Sequence, residues 1–220
     1  MLLEHGSDVN AQGGHYKNAL HAASSGGHDK TVQKLLEHGA DVNAQGDYRN
    51  ALQAASSGGH DKTVQMLLEH GADVNAQGGC NGNALYAASY QGHDKIVQML
   101  LEHRADVNAW GGDYGNALQA ASLGGYNKIV QMFLEHGADV NAWGGDYGNA
   151  LQAASSRGHD KIVQMLLEHG ADVNVQGGRY GNSLQAASSR GHDKIMQMLL
   201  EHGADQSGRY RSPFKRLTKS

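Results

Sequence analysis

Histidine is the residue type through which this chain could most readily do chemistry. There are 14 among 220 residues, enough to hold metal ions or move protons if they converged. Their spacing argues against it. Five stand in Gly-His-Asp-Lys (His28, His60, His93, His159 and His192) and seven in Glu-His (His5, His38, His70, His103, His136, His169 and His202). The two that share a unit, such as His159 and His169, fall at opposite ends of what reads as one helix. Successive copies are a whole unit apart. Neither separation gathers the ligands one ion needs. There is no Gly-rich phosphate loop, no Cys/His cluster with zinc spacing and no nucleophile beside a base. The expectation is therefore no catalytic residue, no cofactor and no metal. The single cysteine, Cys80, cannot form an internal disulfide and reads as an isolated exposed thiol at a turn tip. Such sparing use of cysteine fits an intracellular, reducing location, cytoplasmic with the nucleus left open.

What positions the histidines also positions everything else. The string Gly-Ala-Asp-Val-Asn, or a near copy, starts at Gly6, Gly39, Gly71, Arg104, Gly137, Gly170 and Gly203. A period of about 33 residues is the mark of a stacked array, not of one globular core. The 31 glycines fall at fixed places within the units, so they are punctuation and not low complexity. No apolar run is long enough to cross a membrane, and the start, Met-Leu-Leu-Glu-His, lacks the basic and long apolar stretches of a signal peptide.

The unit from Ala142 to Asn174 shows the plan. Gly-Gly-Asp-Tyr-Gly reads as a turn or hairpin tip. Asn149 follows where a helix N-cap belongs. Ala150 to Ser156 is a short helix of small residues, broken at Arg157-Gly158. Asp160 to His169 is a second helix, with Asp160 at its positive end, His169 at its negative end and Gly170 as a left-handed stop. Its apolar residues Ile162, Val163, Met165, Leu166 and Leu167 cover too wide an arc for one buried side. Contacts with the partner helix and with both neighbouring units would account for them.

The recurring Ala-Leu-Gln-Ala-Ala-Ser, then Gly-His, then Ile-Val-x-x-Leu-Leu-x-x-Gly-Ala-Asp-Val-Asn-Ala resembles the ankyrin repeat. The resemblance implies an all-α solenoid of stacked helix-turn-helix units with turn or hairpin tips, in which tips and short helices line the concave side. The boundaries are a partial unit at residues 1–10, the end of a second helix, then six repeats at 11–43, 44–75, 76–108, 109–141, 142–174 and 175–205. Residues 206–220 follow. One departure is systematic. The family's Thr-Pro-Leu-His becomes Asn-Ala-Leu-Gln or a close variant at Asn18, Asn50, Asn83, Asn116, Asn149 and Asn182, and only His21 keeps the histidine. Asn replaces the Thr cap without loss, whereas Ala lacks the preset φ of proline, so some stability is forgone. This variant is similar to arrays of large fungal proteins, often behind NACHT-type nucleotide-binding domains.

The ends differ from the middle. Met1 to His5 supplies too little helix to cover the first full repeat, and terminal repeats need covering, so the chain is expected to be a fragment or an incomplete gene product, the alternative being a naturally short, frayed start. Residues 206–220 carry Arg209, Arg211, Lys215, Arg216 and Lys219, and Ser212-Pro213-Phe214 resembles a helix start. Either a basic tail or a short C-terminal cap is consistent with them. Against a total of -4, this basic end leaves the array itself acidic, which argues against nucleic-acid backbone as its partner.

Positions that vary between copies are the candidate contacts. At the first tip position, Trp110 and Trp143 stand where other repeats carry Gln12, Gln45, Gln77 and Gln176, with Asp113 and Asp146 close by. Aromatic anchors flanked by polar groups suit binding hot spots, although each Trp could instead pack on the next tip. On the short helices, Tyr86 replaces the recurring Gln, and Tyr90 and Leu123 add apolar surface. Arg157, Arg179 and Arg190 make the C-terminal repeats basic. Tyr16, Tyr48, Tyr114, Tyr147 and Tyr180 recur at one tip position, which points to a structural role. The expected partner-binding residues are Trp110, Trp143, Asp113, Asp146, Tyr86, Tyr90, Leu123, Arg157 and Arg190. They suit a protein or an extended acidic-aromatic peptide on the concave face, with no membrane. The alternative is a sensor or self-assembly region of a larger multidomain receptor, associating through exposed end repeats.

Overall fold

The computed structural model describes residues 8–13, 18–45, 50–78 and 82–205. The N-terminal partial unit up to Ser7, Tyr16, Tyr48, Cys80 and the C-terminal segment read as tail or cap lie outside the described residues. Twelve helices are described. Six are short: α1 (Ala19–Ser25), α3 (Ala51–Gly58), α5 (Ala84–Gln91), α7 (Ala117–Gly124), α9 (Ala150–Arg157) and α11 (Ser183–Ser188). Each is followed by a longer partner: α2 (Asp29–Glu37), α4 (Asp61–Glu69), α6 (Asp94–Glu102), α8 (Asn127–Glu135), α10 (Asp160–Glu168) and α12 (Asp193–Glu201). Among the described residues there is no strand, only isolated bridges within the tips of repeats 4 to 6. No described helix is long and apolar enough to cross a membrane.

Local sequence explains each boundary. The six asparagines placed as N-caps do cap: each side chain accepts from the backbone N–H three residues on, as Asn149 does from Gln152. The short helix of repeat 5 runs one residue further than the sequence suggested, to Arg157, before Gly158 turns left-handed. The long helices end on a histidine whose own Nδ1 donates back to the carbonyl four residues earlier, at 2.8 Å for His169 to Met165. The Gly-Ala-Asp-Val-Asn glycine then takes a positive φ, and repeat 3 must reach the same conformation with Arg104, at φ 65.

Packing follows from residue size. Leu151, Ala153 and Ala154 of α9, and Ile162, Val163, Leu166 and Leu167 of α10, are buried, while Met165 is half-buried. Small residues let successive short helices approach more closely than successive long helices do. This inequality bends the stack toward the short-helix side.

Polar ties join each repeat to the next. The asparagine that ends Gly-Ala-Asp-Val-Asn reaches across. Asn108 donates from Nδ2 to the Gly137 carbonyl at 3.4 Å and accepts at Oδ1 from the Asp139 N–H at 2.7 Å. The same pair of bonds links Asn10, Asn43, Asn75, Asn141 and Asn174 to the following unit. Backbone groups that would otherwise be unpaired at each joint are thereby satisfied.

Candidate functional site

The histidine columns are absorbed by the architecture. Three rings of the Gly-His column meet a carbonyl of the preceding repeat through Nε2, His60 with Ser25, His93 with Ser57 and His159 with Leu123, at 3.1 to 3.3 Å, whereas the buried Nε2 of His192 has no partner among the described residues. The Glu-His rings are the caps just described. Among the described residues, no group of three or more His, Cys, Asp or Glu is placed to hold a metal ion.

The recurring Gln of Asn-Ala-Leu-Gln is also a tie, one that the sequence reading missed. Gln119 accepts at Oε1 from the Asn116 N–H, closing a capping box, while Nε2 donates to the carbonyls of Ala142, Gly144 and Gly148 in the next tip. Gln53 does the same toward Ala76 and Gly82, and Gln152 reaches Val175. A capping box needs a short polar cap and Gln or Glu at the third helical position, so Asn-Ala-Leu-Gln carried the signal.

Repeat 3 breaks this column, and the break builds the candidate surface. Tyr86 takes the Gln position and lies under the tip of repeat 4, where a Cβ at Gly111 would land on its ring. Its hydroxyl accepts from the Tyr114 N–H at 3.3 Å, and Asn83 Nδ2 bonds to the Trp110 carbonyl at 3.1 Å. Expected at the surface, Tyr86 is instead 3% exposed. Its direction along the helix, not its variability, decides its burial. Burial pushes its hydroxyl pKa up to about 12.

Tyr90, one turn later, is 39% exposed and starts a row of rings. Tyr86 and Tyr90 stack at 6.3 Å between centroids, and Tyr90 and Tyr114 at 5.5 Å. Tilted contacts at about 6 Å continue through Tyr147 to Tyr180. Tyr114 and Tyr147, expected to be structural, are part of this row, and only Tyr147 is fully buried. The charge and hydrogen bond of the Tyr90 hydroxyl raise the pKa of Tyr114.

Both tryptophans pack on the following tip and remain open. A Cβ at Gly144 would strike the Trp110 ring, and one at Gly177 the Trp143 ring. Even so, Trp110 is 54% and Trp143 62% exposed. The packing on the next tip read from sequence is therefore present, and it leaves most of each ring exposed. Asp113, Asp146, Arg157 and Arg190 are exposed and Leu123 is half-buried. Arg157 Nη2 donates to the Tyr147 hydroxyl at 3.4 Å. Arg179 lies 5.7 Å from the Tyr147 centroid and 6.0 Å from that of Tyr180. The tyrosine row therefore passes from an open apolar end at Tyr90 to a basic end at Arg157 and Arg179. The structure does not join Arg190 to this row.

The fold so described is shared with known proteins. No functionally curated protein matches the chain significantly. Among solved structures, the human ASB11 ankyrin repeat domain is similar, with 25% sequence identity and a TM-score of 0.77 over 88% of this chain and 87% of that one. The family described as ankyrin repeats (3 copies) matches at residues 1–78, 77–143 and 118–209. With essentially the whole described array covered, the chain belongs to the ankyrin-repeat family, whose members are in general protein–protein interaction modules.

Proposed function

We propose that this array is a non-enzymatic binding module that receives an extended acidic-aromatic segment of another protein along its tips and short helices. The observation that carries the reading is the break at repeat 3. There, a buried polar tie found in repeats 2, 4 and 5 is replaced by a ring that stacks on the exposed Tyr90 and lies under the tip that carries Trp110. Stability does not require such large exposed aromatics, and binding hot spots favour them. A surface already held by inter-repeat hydrogen bonds loses little entropy on docking. Trp110, Trp143, Tyr90 and Leu123 would supply apolar contact, Arg157 and Arg190 would meet acidic groups, and Asp113 and Asp146 would orient polar ones. Tyr86 acts from beneath.

Selection from a random peptide display library tests the proposal. Enriched peptides should combine acidic and aromatic residues. They should bind the Trp110→Ala/Trp143→Ala double variant at least tenfold more weakly, with helicity by circular dichroism unchanged. Peptides of unrelated composition, or equal affinity for the variant, would overturn it. The self-assembly alternative, through the end repeats, predicts concentration-dependent association by analytical ultracentrifugation that the tryptophan pair does not affect.

A further inference from the structure

Two arginines from successive repeats meet at one phenol. Arg157 is the last residue of α9, and its Nη2 donates to the Tyr147 hydroxyl at 3.4 Å. Arg179 belongs to the next tip, where its backbone N–H donates to the Asp146 carbonyl at 2.8 Å. Its guanidinium rests on the ring faces of Tyr147 and Tyr180, and the Tyr147 side chain raises its pKa further. Tyr147 is 4% exposed and held between the rings of Tyr114 and Tyr180, so it is a fixed post for both cations. Among the described residues neither guanidinium is in an ion pair. Both guanidiniums are held at the same phenol, so an anion seated beside it could be met by both forks. A guanidinium offers five N–H donors in a planar fork, and Tyr147 occupies few of them.

We propose that Arg157 and Arg179, braced on Tyr147, bind a phosphate monoester carried on a side chain of the docked peptide, an inference that rests on the peptide-binding reading above. The choice of phosphate over carboxylate follows from count. A phosphate monoester brings three strong acceptor oxygens and about -1.5 to -2 charges near neutral pH, which matches two forks. A carboxylate has two oxygens and one charge, and one fork satisfies it. The exposed phosphate sits at the rim while the peptide's aromatic groups run back toward Tyr90. Lys161, an exposed cation on α10, serves as the control.

The test uses the whole chain and phenyl phosphate as probe, followed by NMR of the arginine side-chain N–H signals. Phenyl phosphate should shift the Arg157 and Arg179 signals saturably, with benzoate at least tenfold weaker. Arg157→Ala and Arg179→Ala should each weaken the response at least tenfold, and Lys161→Ala should leave it unchanged. An equal response to benzoate would overturn the choice of phosphate. No saturable shift, or an equal loss in Lys161→Ala, would overturn the site. The two readings fail separately. If selected peptides depend on Trp110 and Trp143 but phenyl phosphate does not bind, only the phosphate site falls. If phenyl phosphate binds while peptides ignore the tryptophans, the groove reading falls and the anion site stands.

Discussion

The junction between repeats 4 and 5 and the junction between repeats 3 and 4 solve the same problem differently. At the first, Gln119 closes its helix cap and donates to three carbonyls of the next tip. At the second, Tyr86 covers the corresponding tip with a ring, accepts one bond from the Tyr114 N–H, and leaves Asn83 to reach the Trp110 carbonyl. The polar junction is closed and repeats along the stack. The aromatic junction is satisfied with fewer bonds and leaves Tyr90 standing in solvent, while each of the two tips carries an exposed tryptophan, Trp110 at one and Trp143 at the other. The difference teaches that the Gln column belongs to the scaffold, and that the array becomes individual where the column is interrupted.

The largest expected effect breaks the closed junction. Gln119→Ala leaves a buried cap N–H and tip carbonyls without partners, at a cost of about 3 kcal/mol. Urea denaturation measures it, and a loss well under 1 kcal/mol would show that the tie is dispensable. The aromatic junction should respond to base instead. The folded-state pKa of Tyr86 is about 12, above the roughly 10 of a free tyrosine. The folded chain therefore holds that proton where the unfolded chain releases it. This stabilisation is fully present below pH ~10 and is lost as pH rises toward 12. Tyrosinate absorbance should show a group titrating near pH 12, beyond the also raised Tyr114, that disappears in Tyr86→Phe.

Smaller effects test ties common to all junctions. Asn108→Ala removes two exposed bonds between repeats 3 and 4 and should cost about 1 to 2 kcal/mol. Arg104→Gly should add about 0.5 kcal/mol, because Arg104 holds φ 65 where other repeats place glycine. Thermal melts of both variants against the parent chain check the two signs.

The scaffold was largely legible in the sequence because its signals are local and repeated. Cap asparagines, glycine stops and the apolar positions of the long helices recur in register, and each needs only its own neighbours to be read. The candidate surface was less legible. Tyr86 and Tyr90 both stand out as variable, but their helical spacing alone does not say which points into the next tip. Trp110 and Trp143 could be read from sequence as binding anchors or as packing on the next tip; each does pack on a glycine of that tip and still stays exposed. The placement of Arg179 on Tyr147 depends on the spacing between adjacent tips, which no single repeat encodes. Gln119 was within reach, since Asn-x-x-Gln at a helix start is a capping-box pattern.

The most direct measurement converts the aromatic junction into a polar one. The double variant Tyr86→Gln/Tyr90→Ser restores the Ala-Leu-Gln-Ala-Ala-Ser-Ser of repeat 5 at repeat 3. Its urea stability and its affinity for a display-selected peptide would be measured side by side. The account predicts stability within about 1 kcal/mol of the parent, because a Gln tie replaces a packed ring, together with at least a tenfold loss of peptide affinity. Retained affinity in a folded variant would contradict it.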